Sequence, residues 1–119
     1  MNRYDEIKEN YKRVLDMMEN AKAKRASKAP VKLLAATKTV PADEILFAHD
    51  CLGLELAGEN KVNELLSKYD ALSVKIDLHL IGHLQTNKVK NVVGKVSMIE
   101  SLDSLRLAEE INRRSAEHG

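Results

Sequence analysis

Residues 31–48 read VKLLAATKTVPADEILFA, and this stretch decides the fold class. Val31 to Ala36 is a short apolar run, which is typical of a buried strand. Pro41 suits a first helical turn, and the acidic residues that follow it are favourable near a helix N-terminus. The stretch therefore predicts a strand, then a loop, then a helix over Ala42 to Ala48.

The same alternation continues on both sides of this stretch. Before it, apolar residues at three- and four-residue spacing predict a helix from about Asn2 to Arg25, which the connection Ala26 to Pro30 ends. After it, three further strand-helix units are predicted. Their strands lie at 54–57, 76–81 and 96–99, and their helices follow Gly58-Glu-Asn60, lie around 87–93, and begin near Asp103 as a plausible N-cap.

Alternation of this kind implies an α/β fold, with parallel strands, right-handed crossovers and helices on the outside. It does not separate an open sheet from a barrel. A (β/α)₈ barrel needs about 250 residues, or about 200 at the lean end. The chain has 119 residues, 44% of them hydrophobic, so we interpret residues 1–119 as one domain. In a barrel, its four units would form one half.

Composition excludes several classes of function. The 19 Lys and Arg residues nearly balance the 18 Asp and Glu residues, so the net charge does not indicate a nucleic-acid or membrane partner. Two loose basic groups, within 22–28 and 88–95, are interpreted as solvated faces because only 3% of residues are aromatic. With one cysteine, Cys51, and no apolar run of about 20 residues, we expect a soluble cytoplasmic protein.

Lys38 is the first candidate for chemistry. It lies two residues past the first predicted strand, where parallel α/β folds display functional groups. Desolvation lowers the pKa of a lysine at such a position, and the neutral amine forms Schiff bases with aldehydes. The alternative is a solvated loop charge.

Asn60, His79 and His83 are the remaining candidates. Asn60 either caps the helix that follows it or donates a hydrogen bond to a ligand oxygen. Alternation along the third strand would place His79, Ile81 and His83 on the same face of the sheet, unless Gly82 breaks the register. One of the histidines could face a cofactor ring, whereas the alternative is a structural role, and no ligand spacing supports a metal.

Four segments together resemble the pyridoxal phosphate homeostasis protein family (YggS type) in order and spacing, over nearly the whole chain from Tyr4. Residues 81–88, IGHLQTNK, are the most specific part. The four segments are LLAATKTVP (33–41), GENKVNE (58–64), HLIGHLQTNK (79–88) and SLDSL (101–105).

The resemblance implies a barrel similar to the N-terminal domain of alanine racemase, with pyridoxal 5′-phosphate bound to Lys38 as a Schiff base. Asn60 is then an expected cofactor contact, and His79 and His83 stay cofactor-binding candidates because of their position on the third strand. The family is associated with intracellular pyridoxal phosphate homeostasis rather than with a turnover of its own. A racemase-like or other Schiff-base enzyme is the alternative function, and a scaffold fragment without a ligand is the second alternative.

The resemblance also implies that the chain corresponds to the N-terminal half of the family's barrel, because the family completes eight units. The later units carry the loops that hold the cofactor phosphate. We therefore expect weak cofactor binding by this chain. We also expect a homo-oligomer, because the outer strands of a half-barrel are unpaired edges beside an exposed half-core.

Overall fold

Four parallel strands form a single sheet. The computed structural model describes residues 2–24 and 29–118. Its strands are β1 (Leu34–Ala36), β2 (Leu56–Glu59), β3 (Asp77–Leu80) and β4 (Met98–Ile99). Each strand pairs with the next along the chain, in the order β1-β2-β3-β4. Parallel strands are joined by right-handed crossovers, and when the strand order follows the chain without reversal, these crossovers place the connecting helices on one face of the sheet, as in half of a barrel. In a doubly wound sheet the strand order reverses.

Helices precede and follow the strands as predicted, so the parallel α/β fold is confirmed. The helices are α1 (Arg3–Lys24), α2 (Ala42–Leu52), α3 (Val62–Leu72), α4 (Val89–Val92, after a 3₁₀ turn at Thr86–Lys88) and α5 (Leu105–His118). The predicted first, third and fourth strands were too long, because the ladder of hydrogen bonds is shorter than the apolar stretch around it. The predicted second strand, 54–57, began two residues too early, since β2 includes Gly58 and Glu59, which had been assigned to the loop. The predicted helix end at Arg25 and the start of the connection at Ala26 lie outside the described residues.

Local signals explain the bounds of α2. Pro41 precedes the helix in an extended conformation, so α2 begins at Ala42 as predicted and continues to Leu52, beyond the predicted end at Ala48. Gly53 ends the helix with a φ of 87°, and its N–H donates to carbonyl oxygens of the last turn. Glycine adopts this left-handed conformation without a steric penalty from Cβ.

The predicted N-cap of the last helix was wrong. Ser104, not Asp103, caps α5, because the Ser104 Oγ accepts a hydrogen bond from the N–H of Leu107 at 3.1 Å. That N–H belongs to the third residue of the helix, the usual donor to a serine cap. The Asp103 carboxylate is directed instead to His83, with 3.5 Å between Oδ2 and Nδ1.

The hydrophobic core lies between the sheet and its helices. Ala57, Leu78 and Leu80 project from the strands and are fully buried or nearly so. They pack against two clusters of helix and loop side chains, which include Ile45, Ala48, Leu72 and Ile76 in one and Leu65, Val89, Val92 and Leu107 in the other. Burial of each such aliphatic side chain contributes about 1.5–3 kcal/mol, so this one face holds the domain together.

The opposite face of the sheet is open. Ala36 and Asp77 are exposed there, and Met98 is 52% exposed. The Cα radius of gyration is 16.1 Å, compared with about 13.5 Å expected for a compact domain of this length. Strands of all-parallel sheets are ordinarily covered on both faces. The open face is therefore the natural place for a ligand or a partner.

Candidate functional site

Lys38 and Asn60 occupy equivalent positions beyond the carboxyl ends of adjacent strands. β1 and β2 are in register through Ala36 and Gly58, and the N–H of Thr37 continues the ladder to the Gly58 carbonyl at 2.9 Å. Lys38 and Asn60 each lie two residues beyond the Ala36–Gly58 pair, on strands about 4.8 Å apart. Lys38 is exposed and Asn60 is half-buried. The register thus brings these two candidates to the same edge of the sheet.

His79 lies on the open face, in register with Gly58 and Met98. Its side chain is only 12% exposed, and its Nδ1 lies 3.4 Å from the Glu100 Oε2. Within the described residues this buried Nδ1 has no hydrogen-bond partner, because the ion-pair distance is not matched by hydrogen-bond geometry. The atom is therefore available to a polar group placed over the face.

A cleft of about 430 Å³ lies beside these positions, at the end of β2 and β3. Its volume falls within the range of about 300–1,000 Å³ that small-molecule sites occupy. The cleft brings Asn60 and His83 together, with Lys61 and Lys88 also in its wall, whereas Lys38 and His79 do not line it. His83 is exposed. It was expected to point to the same face of the sheet as His79, but β3 ends at Leu80, so the alternation of side chains does not extend to His83.

Asn60 does not cap the helix that follows it. The cap position of α3 belongs to Lys61, whose side chain makes no capping hydrogen bond. The capping interpretation of Asn60 is therefore wrong. The position of Asn60 in the wall of the cleft leaves its amide beside the space that a ligand would occupy.

Gly82 permits the close approach of two loops that shape the cleft. A Cβ at this position would lie 2.2 Å from the carbonyl oxygen of Asn60 and 2.7 Å from its Cα. Both atoms belong to the backbone, so neither can rotate away.

We expect Gly82→Ala to displace the Asn60 loop and to destabilise the fold by about 1–3 kcal/mol, which is the usual range for overpacking. Gly58→Ala is the matched control, because its Cβ would meet side-chain atoms of Leu34 and Ile81 at 3.0 Å, and side chains can adjust. Urea unfolding measures both variants. Equal midpoints for the two variants would contradict the backbone clash.

Behind the sheet, a network of buried charges joins β2, α3 and the loop after β1. Lys68 on α3 is 9% exposed and Glu59 on β2 is fully buried. The Lys68 Nζ donates hydrogen bonds to the Oε1 of Glu59 at 2.9 Å and to the Oε1 of Glu64 at 2.8 Å. Its third hydrogen bond goes to the carbonyl oxygen of Thr37 at 2.9 Å. All three donors of the ammonium group are therefore used.

The charges of this network reinforce one another. Burial disfavours the charged form of Lys68, but its hydrogen bonds to Glu64 and Glu59 outweigh this and raise its pKa above the ordinary value. The hydrogen bond from Lys68, together with one from the Thr39 N–H, lowers the pKa of Glu64. Lys68 and Glu64 are therefore charged over the neutral pH range.

The lowered pKa of Glu64 predicts a specific sensitivity to acid. The folded state binds fewer protons there than the unfolded state, so Glu64 stabilises the fold above its unfolded pKa of about 4.3. That stabilisation is lost as the pH falls through the lower folded pKa. We expect Glu64→Gln to lower the free energy of unfolding by about 1 kcal/mol at neutral pH. Between about pH 5 and 3, the urea midpoint of this variant should fall less steeply than that of the parent. Glu9→Gln, on the exposed surface of α1, is the control; the same flattening there would contradict the assignment.

Sequence reasoning missed this network, although a signal for it was present. Lys68 stands between Leu65 and Leu72 at the three- and four-residue spacing of a buried helical face. Glu64 precedes it by four residues, the spacing of a stabilising ion pair. A charged residue on an apolar face requires a partner, and a search for one leads to Glu59 in the neighbouring strand.

Two further features are absent from the described part of the chain. Residues 2–24 and 29–118 contain no group of three or more His, Cys, Asp or Glu side chains that could hold a metal ion. In the same ranges, no helix combines the length and apolar character needed to cross a bilayer.

Curated proteins that are similar to this chain are named pyridoxal phosphate homeostasis proteins. The chain is 46% identical to the pyridoxal phosphate homeostasis protein of Aquifex aeolicus over 110 residues, which cover 90% of this chain and 47% of that protein. The chain belongs to the pyridoxal phosphate homeostasis protein family. It spans about half the length of the curated relatives it matches. No family model matches the sequence.

Solved structures of similar sequence share the fold of this chain. A protein of unknown function from Bifidobacterium adolescentis superposes with a TM-score of 0.89 at 38% identity, covering 98% of this chain and 52% of that one. PipY of Synechococcus elongatus, solved with pyridoxal phosphate bound, superposes with a TM-score of 0.69 at 35% identity, covering 85% and 49%. The family's fold thus matches the half-barrel observed here.

Proposed function

We propose that this chain binds pyridoxal phosphate as a Schiff base on Lys38 and serves intracellular pyridoxal phosphate homeostasis without catalytic turnover. The position of Lys38 carries the proposal, because it is an exposed amine beyond the carboxyl end of β1, beside the open face. The naming of the relatives and the ligand of PipY support the choice of aldehyde. A cytoplasmic location is part of the proposal.

The residues around Lys38 fit an aldehyde that also carries polar groups. The Lys38 amine would attack the aldehyde carbon, a C=N bond would replace the C=O bond, and the oxygen would leave as water with two protons from the amine. Asn60 stands at the next strand end and lines the cleft. His79 offers a buried Nδ1 without a hydrogen-bond partner in the described part of the chain. His83 lines the cleft beside Asn60.

Binding by this chain alone is proposed to be weak. Tight phosphate binding draws on several backbone amides from glycine-rich loops and helix N-termini. The described strand-end loops contribute Lys38, Asn60 and Gly82 to this edge of the sheet instead of such a loop. The Schiff base, which water can hydrolyse, would then supply most of the affinity.

The experiment that tests the proposal is an absorbance titration of the chain with pyridoxal phosphate, followed by borohydride reduction and peptide mass mapping. We expect a visible Schiff-base band and an adduct concentrated on Lys38. An adduct distributed evenly over surface lysines would contradict the proposal and would favour a scaffold without a ligand. Racemisation of alanine by the loaded chain would contradict the non-catalytic part and favour a racemase-like enzyme.

Self-association of the chain through the exposed edges of its half-barrel is a second part of the proposal. The open face exposes Ala36 and Met98, and the sheet ends in the outer strands β1 and β4. Outer strands with free backbone groups pair readily with a second copy. Light scattering at micromolar concentration should give at least the mass of a dimer, and a monomeric mass would reject this part.

A further inference from the structure

The buried charges behind β1 and β2 converge on the peptide that carries Lys38. Lys68 donates to the carbonyl oxygen of Thr37, and the Thr37 hydroxyl donates to the Glu59 Oε1 at 2.7 Å. On the other side of Lys38, the N–H of Thr39 donates to the Glu64 Oε1. Side chains from two neighbouring elements therefore hold both residues that flank Lys38.

Stability alone is a poor explanation for this arrangement. Removing a lysine and a glutamate from water costs several kcal/mol for each ion, and apolar replacements of buried pairs are often neutral or stabilising. The Glu59 Oε2 is buried without a hydrogen-bond partner among the described residues, which adds to the cost. Lys68 lies on α3 at three- and four-residue spacing from Leu65 and Leu72, both of which are fully buried, so an apolar side chain would suit its position.

The loop that they hold is also strained. Thr39 has a φ of 61°, and it is the one non-glycine residue with a positive φ in the described part of the chain. A β-branched residue is sterically strained in this left-handed region and persists there only where its surroundings impose it. The hydrogen bond from Thr39 to Glu64 is one such constraint. A second is the turn that the Val40 N–H closes onto the Thr37 carbonyl at 3.1 Å.

We infer that Lys68, held by Glu59 and Glu64, is a positioning residue that fixes the Lys38 peptide in a strained turn and so directs aldehydes to the Lys38 amine. The consequence for aldehydes rests on the proposed function, whereas the fixing of the turn does not. Lys68 itself is buried, and its three hydrogen bonds occupy its amine, so it does not compete for the aldehyde.

Two variants test this inference without relying on a single unstable protein. Glu64→Ala removes the acceptor of the Thr39 N–H at a partly exposed position. The double variant Glu59→Leu/Lys68→Met removes both buried charges together and leaves apolar volume in their place. Lys75→Met is the matched control, because it removes a lysine from an exposed ion pair with Asp50.

The first measurement is amide hydrogen exchange by NMR, which needs no cofactor. We expect Glu64→Ala to speed exchange at Thr39, and the double variant to speed exchange at Val40, each by at least about tenfold relative to Ile76. The Ile76 amide, which bonds to Leu72 at 2.9 Å, reports general destabilisation. The second measurement is the share of borohydride-trapped pyridoxal phosphate found on Lys38, which should fall several-fold in both variants.

The outcomes separate this inference from the proposed function. Unchanged exchange at Thr39 and Val40 would overturn the inference, whatever happens to the cofactor. Faster exchange with an unaltered share of adduct on Lys38 would overturn it as well, because the turn would then not matter for the amine. Faster exchange in a protein whose parent forms no adduct on Lys38 would support the fixing of the turn and reject the proposed function.

Discussion

Lys38→Ala is expected to abolish the visible absorbance that pyridoxal phosphate develops with this chain. The Schiff base requires an amine, and the proposed site supplies it from the end of β1. Because weak phosphate contacts alone would hold the cofactor in the variant, the trapped adduct should fall to the level of ordinary surface lysines. Absorbance titration, borohydride reduction and peptide mapping on both proteins measure the effect.

Lys32→Ala is the matched control for this experiment. Lys32 and Lys38 flank the same strand and are both exposed, but only Lys38 lies at the carboxyl edge of the sheet. The Lys32 variant should retain the full band. A band that survives Lys38→Ala and disappears in Lys61→Ala would instead assign the Schiff base to the cleft between Asn60 and His83.

The sequence was sufficient to predict the class of fold, and it placed Lys38 and Asn60 in the loops after consecutive strands. Apolar runs that alternate with amphipathic segments specify parallel strands and crossover helices, and this pattern was confirmed. Lys38 and Asn60 follow consecutive strands, so a parallel register brings them to one edge. The unreversed strand order, which distinguishes a half-barrel from a doubly wound sheet, depends on pairing between strands and was not available from local pattern.

Local errors arose where two neighbouring residues offer the same chemistry. Asp103 and Ser104 are both good N-caps, and the local sequence does not decide between them, whereas the hydrogen bond from the Leu107 N–H identifies Ser104. The charged network was missed for a different reason. Its members lie on a strand, a helix and a loop, and their contact depends on packing across the sheet.

Lys68→Met should destabilise the fold by about 3–5 kcal/mol, because it leaves the carboxylate of Glu59 buried without its cation. Methionine fills the volume of the lysine stem, so the loss is electrostatic and not a cavity. Domains are stable by only about 5–15 kcal/mol, and such a loss would leave the variant marginal at 25 °C. The urea midpoint, compared at constant slope, is the measurement.

The double variant Glu59→Leu/Lys68→Met decides whether this cost belongs to the pair or to the unpaired acid. Without the carboxylate, no charge is left buried, and stability should return to within about 1 kcal/mol of the parent. Lys75→Met should cost at most about 0.5 kcal/mol, since Lys75 and Asp50 are both nearly half exposed. If the double variant were as unstable as Lys68→Met, the network would be a stabilising element in its own right. If the double variant were instead nearly as stable as the parent, the buried charges would contribute little to stability. Their hold on the turn around Lys38 would then be the reason for their presence.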